Sequence, residues 1–248
     1  MDTDSASRPI ETIVSAIPAL AAVLAERAAN LARAAVADER CFIVALPGGS
    51  VAKAFFPTLA IAPIDWSRVE CFWGDERGVP PDDPGSNYKL AAEFLFTHAN
   101  VDRRRVHRMP ADEVDLDAAA AAYEVELRTI AGSPPRFDMI LLGVGPDGHV
   151  CSLFPGHPAL DESSRLVVAV TDSAKSPPRR LTLTLPALSG ASLLVIAAFG
   201  NEKAAAIREA LNNPDSSLPV ARATRQSRRT LFLLDPGAAG RKAVFGSQ

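Results

Sequence analysis

The chain has little of what would tie it to a membrane, an oxidising compartment or a polyanion. Three cysteines in 248 residues, Cys41, Cys71 and Cys151, are odd in number and lack CxxC or other metal-ligand spacing. They are therefore expected to be reduced, structural thiols, with Cys151 set apart by its position in a glycine-rich segment. Lys and Arg total 26 against 29 Asp and Glu, so the concentrated positive field that nucleic acid or an anionic lipid surface requires is missing. No apolar run reaches the length of a membrane span, and the N-terminal residues have neither a basic region nor an apolar core of a secretory leader. The expectations are a cytoplasmic location, no nucleic-acid partner and no membrane partner. Neither an internal repeat nor a long Gly/Ser linker divides the chain.

What the chain has is apolar content. At 48% apolar residues over 248 positions it can bury one large core and is short for two, so residues 1–248 are expected to form a single α/β domain. The oligomeric state is not readable from the pattern, a monomer being slightly favoured. Short dense apolar runs alternate with longer periodic segments, as they do when parallel strands buried on both faces are joined by helices. The runs predict strands over 41–46, 68–73, 137–142, 166–170, 181–185, 193–198 and 230–234. Helices are predicted over 10–37, 51–59, 87–96, 116–130 and 201–211, the first kinked or split at Pro18. Residues 81–86 and 172–178 read as surface loops. This order implies a doubly wound, mostly parallel sheet with helices on both faces, in which ligands bind beyond the carboxyl ends of the strands.

Three clusters sit at such places. Gly48-Gly49-Ser50 follows a strand and opens a helix. Its glycines permit a tight turn and close backbone approach, and the helix amides with the Ser50 hydroxyl suit a phosphate or sugar oxygen. An ordinary turn with Ser50 as helix cap fits the same residues, and the spacing and Lys of a Walker loop are absent. Asp75-Glu76-Arg77, with Ser86-Asn87-Tyr88 shortly after, places charge of both signs at a strand end; the readings are an arginine held for an anion or a solvated ion pair. The third and densest cluster runs over 142–156. Gly143, Gly145 and Gly148 satisfy GxGxxG after a strand, yet Pro146 and Pro155-Gly156 leave room only for a short helix. The nearest acidic residues, Asp161 and Glu162, also fall short of the roughly 20-residue spacing of a dinucleotide site. The loop instead presents Asp147 and His149. A histidine titrates close to neutrality and can take a proton from water, while a nearby carboxylate fixes its tautomer. His98, His107 and His157 lack such a setting and read as structural. The arginines after Asn212, at 222, 225, 228 and 229, read as a solvated face in preference to a site lining.

With these blocks in view, joined by 180–186 (Arg-Leu-Thr-Leu-Thr-Leu-Pro) and by Gly200 with Lys203, the chain resembles the 6-phosphogluconolactonase family over about residues 40–210. The family often has Thr-Pro where Val51-Ala52 stands, and Asp where Gly85 stands; neither departure falls on a residue assigned to chemistry. The resemblance implies the fold shared by lactonases, glucosamine-6-phosphate deaminases and ribose-5-phosphate isomerases, with no metal and no organic cofactor. It implies hydrolysis of a small phosphorylated sugar lactone, 6-phospho-D-glucono-1,5-lactone. His149 would be the base, oriented by Asp147 or Asp75, and Arg77 or loop amides would face the oxyanion. Gly48, Gly49, Ser50, Arg180 and Lys203 would hold the phosphate. Deaminases carry an Asn-Glu pair where this chain has Leu153-Phe154, so an isomerase or deaminase is the weaker reading. A non-catalytic sugar-phosphate sensor is weaker still, because the residues before Cys41 lack a DNA-binding pattern.

Overall fold

A computed structural model describes residues 9–240. Residues 1–8, to which the expectation of no secretory leader belongs, and residues 241–248 lie outside the described residues. Nine strands and seven α-helices are found among them. β2 (Phe42–Leu46), β3 (Val69–Trp73), β5 (Met139–Gly143), β8 (Leu193–Ala198) and β9 (Thr230–Leu234) are the expected buried runs. With β1 (Ile10–Val14) they form a six-stranded sheet in the order β1-β9-β8-β5-β2-β3. Every pairing in that sheet is parallel. β3, β8 and β9 are buried at every position, as strands covered on both faces must be.

The helix expected over 10–37 is in fact a strand and a helix. Residues 10–14 pair in register with β9 as the edge strand β1, and α1 covers Ile17–Ala37. The apolar residues of 10–14 satisfy either period over so short a run; only the partner strand decides. Pro18 produces no kink, because it occupies the first turn of α1, where a missing amide costs nothing. The inner face of α1 is mostly alanine (Ala21, Ala25, Ala28, Ala29, Ala32, Ala35), which lets it pack closely on α2 (Gly49–Ala60).

A second correction concerns the strands expected over 166–170 and 181–185. They are β6 (Val167–Val170) and β7 (Arg180–Leu183), and with β4 (Asp75–Arg77) they form a separate antiparallel sheet in the order β4-β7-β6. Leu185 belongs instead to α5 (Leu185–Ser189). α4 (Leu116–Ala131) packs on this small sheet, and side chains of both sheets share one continuous apolar core. α3 (Asn87–Phe94) is shorter than expected. The helix predicted over 201–211 opens as a 3₁₀ turn before α6 (Ala204–Asn212). A short α7 (Pro219–Gln226) was not anticipated. Among the described residues no helix is long and apolar enough to cross a membrane.

The strand order locates the site. From β2 the chain crosses through α2 to β3 on one side, whereas β5, β8 and β9 are laid down on the other. Right-handed crossovers leaving in opposite directions put helices on both faces and part the loops after β2 and β5. That parting is where an open α/β sheet forms its binding crevice.

Candidate active site

A cleft of about 360 Å³ opens at this reversal. Residues 47–51 after β2, Gly74 and Asp75 after β3 and 142–145 at the end of β5 line it, with Phe199 after β8. His149, Cys151 and four cations, Arg77, Lys175, Arg180 and Lys203, complete the wall. Of the nine residues singled out from sequence, eight line the cleft: Gly48, Gly49, Ser50, Asp75, Arg77, His149, Arg180 and Lys203. The ninth, Asp147, touches His149 from behind.

The loop after β5 is shaped to present the imidazole. Gly148 has φ of +82°, and Gly145 and Gly148 are joined by an amide-to-carbonyl bond of 2.9 Å. Gly145 is required for another reason: a Cβ there would lie 1.9 Å from Nδ1 of His149. His149 Nδ1 lies 2.5 Å from Asp147 Oδ1. A carboxylate at that distance accepts the Nδ1 proton, so the lone pair sits on Nε2, for which no hydrogen-bonding side chain is found among the described residues. Burial lowers the pKa of His149 below the ordinary histidine value; Asp147 opposes this and Lys175 reinforces it. One face of the ring packs on Phe154, 4.7 Å between centroids, and the Arg180 guanidinium lies over the same phenyl ring at 5.8 Å. No α-helix follows Gly148 directly, only a 3₁₀ turn over Pro158–Asp161.

Asp75 is placed differently from the expectation that it might orient His149. Its Oδ2 accepts from Ser152 Oγ (2.7 Å) and lies 3.8 Å from Arg180 Nη1, while its Oδ1 accepts from Asn87 Nδ2 (3.2 Å). It makes no hydrogen bond to the imidazole. Arg180 is also more committed than a free phosphate ligand: Nε donates to Pro177 O (3.0 Å), and Nη2 donates to Lys175 O (3.0 Å) and Ser176 O (3.3 Å). Thus segment 172–178, expected to be a plain surface loop, is held over the cleft and brings Lys175 and Ser176 into its wall. Lys175 Nζ stands 3.4 Å from His149 Nδ1 and 3.9 Å from Asp147 Oδ1. Lys175 was not singled out, and Ser152 and Asn87 stood only within longer motifs, with no role given to them; lysine in a polar loop carries no signal until the loop is folded.

Arg77 donates from Nη1 to Gly85 O (2.6 Å), and its Nε is buried with no hydrogen-bond partner among the described residues. Beside it, Glu76 is structural. It accepts from the amides of Arg77, Asn87 and Tyr88 and from Ser86 Oγ, so it holds the start of α3. Burial raises its pKa against those four donors. In the turn after β2 the cap of α2 is Gly48, not Ser50, and the Ser50 side chain is exposed. The first amides of α2 therefore have no intrahelical carbonyl and no side-chain cap. Gly48 has no room for a side chain, since a Cβ would lie 1.7 Å from Asn87 Oδ1. Lys203 lies in the 3₁₀ turn after β8, where burial lowers its pKa and Glu202 opposes.

Burial raises the Cys71 and Cys151 thiols above the ordinary range, as expected of structural cysteines. Cys151 has φ of +51°, and its Sγ lies 3.0 Å from where a Gly74 Cβ would stand. Among the described residues no three His, Cys, Asp or Glu side chains come together as a metal-holding group. The C-terminal arginines lie outside the cleft: Arg222 pairs with Asp161 (2.6 Å) and Arg229 with Glu11 (3.5 Å).

The cleft thus unites a neutral, carboxylate-oriented imidazole with four cations and a helix N-terminus, an arrangement suited to adding water to an anionic, phosphorylated electrophile. Comparison with known proteins agrees. The family model described as glucosamine-6-phosphate isomerases/6-phosphogluconolactonase matches residues 16–232. A 6-phosphogluconolactonase of Mycobacterium tuberculosis is 43% identical over 232 residues, covering 90% of this chain and 94% of that protein. Among solved structures, the 6-phosphogluconolactonase of Trypanosoma brucei superposes with a TM-score of 0.81 at 27% identity, over 95% of this chain and 98% of that one. That of Thermotoga maritima gives 0.79 at 27% identity over 92% and 99%. On its sequence and its fold together, the chain belongs to the glucosamine-6-phosphate isomerase/6-phosphogluconolactonase family.

Proposed function

We propose that this protein hydrolyses 6-phospho-D-glucono-1,5-lactone to 6-phospho-D-gluconate. The observation that carries the reading is the His149–Asp147 pair at 2.5 Å in a cleft walled by four cations. A water held by Nε2 loses its proton to His149 as its oxygen bonds to the lactone C1. The carbonyl oxygen becomes an alkoxide, faced by Arg77, whose Nε has no hydrogen-bond partner among the described residues. The intermediate then collapses: the C1–O5 bond breaks, and the imidazolium returns the proton to the departing ring oxygen. Water is consumed, no bond to the enzyme forms, and His149 ends as it began. The 6-phosphate is assigned to the uncapped amides of α2, the Ser50 hydroxyl and the Lys203 ammonium. Arg180 adds positive charge, but its donors are largely spent on residues 175–177. A δ-lactone reacts with water unaided, so a placed base contributing about 10²- to 10⁴-fold, together with substrate orientation, suffices. Asp161 and Glu162, the acidic residues nearest after this loop, do not line the cleft, and Phe154 fills the space beside the imidazole. The carboxylate that a deaminase would carry at the position of Phe154 is therefore missing, although Asp75 lines the cleft from another side.

The test is the hydrolysis of freshly generated 6-phosphogluconolactone above its spontaneous rate, for the native protein and His149→Ala. Fast native hydrolysis, with the variant near background but still binding 6-phosphogluconate, is the expected result. A native protein that binds the product yet leaves the rate at background would overturn the reading.

A further inference from the structure

Of the four cations that line the cleft, Lys175 alone touches the His149–Asp147 pair. Lys175 Nζ is 3.4 Å from Nδ1 and 3.9 Å from Asp147 Oδ1, on a segment whose carbonyls at 175, 176 and 177 are clamped by Arg180. Its position is therefore set by the fold, although its side chain is part-exposed.

The contact has an unusual chemistry. Asp147 at 2.5 Å requires hydrogen on Nδ1. An ammonium beside that same nitrogen then finds no lone pair to donate to, and it acts on the ring by charge alone. Had Lys175 been the donor to Nδ1, that nitrogen's lone pair would be spent on the ammonium, the Asp147 carboxylate would have no hydrogen to accept, and the ring hydrogen would lie on Nε2, the atom that must accept from water. A positive charge beside an imidazole disfavours the imidazolium, in opposition to the carboxylate, which favours it. An Asp–His pair alone gives a firmly oriented base that also holds its proton more tightly; adding the ammonium keeps the orientation and offsets the second effect.

We propose that Lys175 is a positioning residue for the hydrolysis, its ammonium keeping His149 neutral for proton abstraction and making the transient imidazolium a better donor to the ring oxygen. The inference rests on the reading of His149 as the base. The other charged groups facing the imidazole are Asp147 on its own loop, Asp75 on β4, Arg180 on β7 across the Phe154 ring, and Lys203 beyond Lys175. Of the cations, Lys175 alone has a direct contact with the ring. The direction of the His149 shift, downward with Lys175 among its causes, agrees.

The experiment is an NMR titration of the His149 ring, its signal identified by absence from His149→Ala, in the native protein and in Lys175→Met, Lys175→Gln and Lys175→Arg. Loss of charge is expected to move the midpoint upward in the Met and Gln variants, and Arg is expected to restore it. In parallel, kcat/KM of Lys175→Met at pH 5.5 should fall about three- to tenfold further than it does at pH 8, as expected from removing one nearby charge. Agreement of the Met and Gln variants, with spectra otherwise native, separates charge from a disturbed loop. A midpoint that stays or falls in both neutral variants overturns the proposal. Because the titration needs no lactone, it gives its answer even if the native protein fails to hydrolyse the substrate, so failure of this inference and failure of the lactonase reading are distinguishable.

Discussion

At the scale of single residues, the candidate site depends as much on missing side chains as on present ones. Gly145 and Gly48 leave room for the His149 ring and the Asn87 carboxamide, respectively. Gly145→Ala forces Nδ1 of His149 away from a Cβ that would stand 1.9 Å from it, and Asp147 Oδ1 away from the same atom at 2.4 Å. Displacing a base by about 1 Å can cost about 100-fold in rate. The expected outcome is a kcat lower by that order with KM changed far less, and a melting temperature within a few degrees of native, measured by steady-state kinetics and calorimetry. Equal losses of activity and stability would place Gly145 in the folding of the loop instead of the aim of the base. Histidine and the three-residue Asp-Gly-His stretch were visible in the sequence, and Asp147 and Asp75 stood as alternatives, but the choice between them was not legible. Which carboxylate reaches the imidazole is a matter of a few ångströms across two sheets.

At the scale of elements, segment 172–178 shows how a loop becomes part of a site. Arg180, at the start of β7, is buried among Asp75, Ser152 and the carbonyls of 175–177. Arg180→Met keeps the stem but leaves those carbonyls without their donors, and it leaves Asp75 without its nearest cation. Faster amide hydrogen exchange over 173–178 is expected, with a higher KM and a lower kcat, because Lys175 and Ser176 lose their fixed place over the cleft. Exchange in that segment at the native rate would refute the clamp. The sequence pattern placed seven strands within about two residues of their observed ends, since dense apolar runs bounded by turns are unambiguous when both faces are covered. Its failures were the short segments: 10–14, read as helix, and 166–170 and 181–185, expected to join the parallel sheet. Strand direction and sheet membership are set by partners distant in the chain, and a strand of four or five residues carries no mark of either.

At the scale of the molecule, α4 and the small sheet are tied by a half-buried carboxylate whose ionisation couples the fold to pH. Glu124 pairs with Arg128 (2.7 Å) and accepts from the amides of Leu166 (2.8 Å) and Val167 (3.3 Å). Burial alone would raise its pKa, but these donors and the Arg128 charge together leave it lowered from 4.5. For a carboxylate lowered in the folded state, the stabilisation is present above the unfolded value and is lost as pH falls through the folded one. Glu124→Gln should therefore melt below the native protein at pH 7, and the gap should close as pH drops through the carboxylate range; a gap constant from pH 7 to pH 3 would exclude the linkage. By itself the sequence determined the α/β class, most of the core strands and the residues that gather at the strand ends, because these follow from apolar periodicity and from where glycine and charge interrupt it. Only the tertiary structure decided that the strands divide into two sheets, that Asp147 and not Asp75 holds the imidazole, and that Lys175 borders it. Lys175 reaches His149 from 26 residues away, and Asp75 is drawn off by Ser152, 77 residues away, leaving the imidazole to its neighbour Asp147; such placements are governed by packing, which a local pattern does not encode.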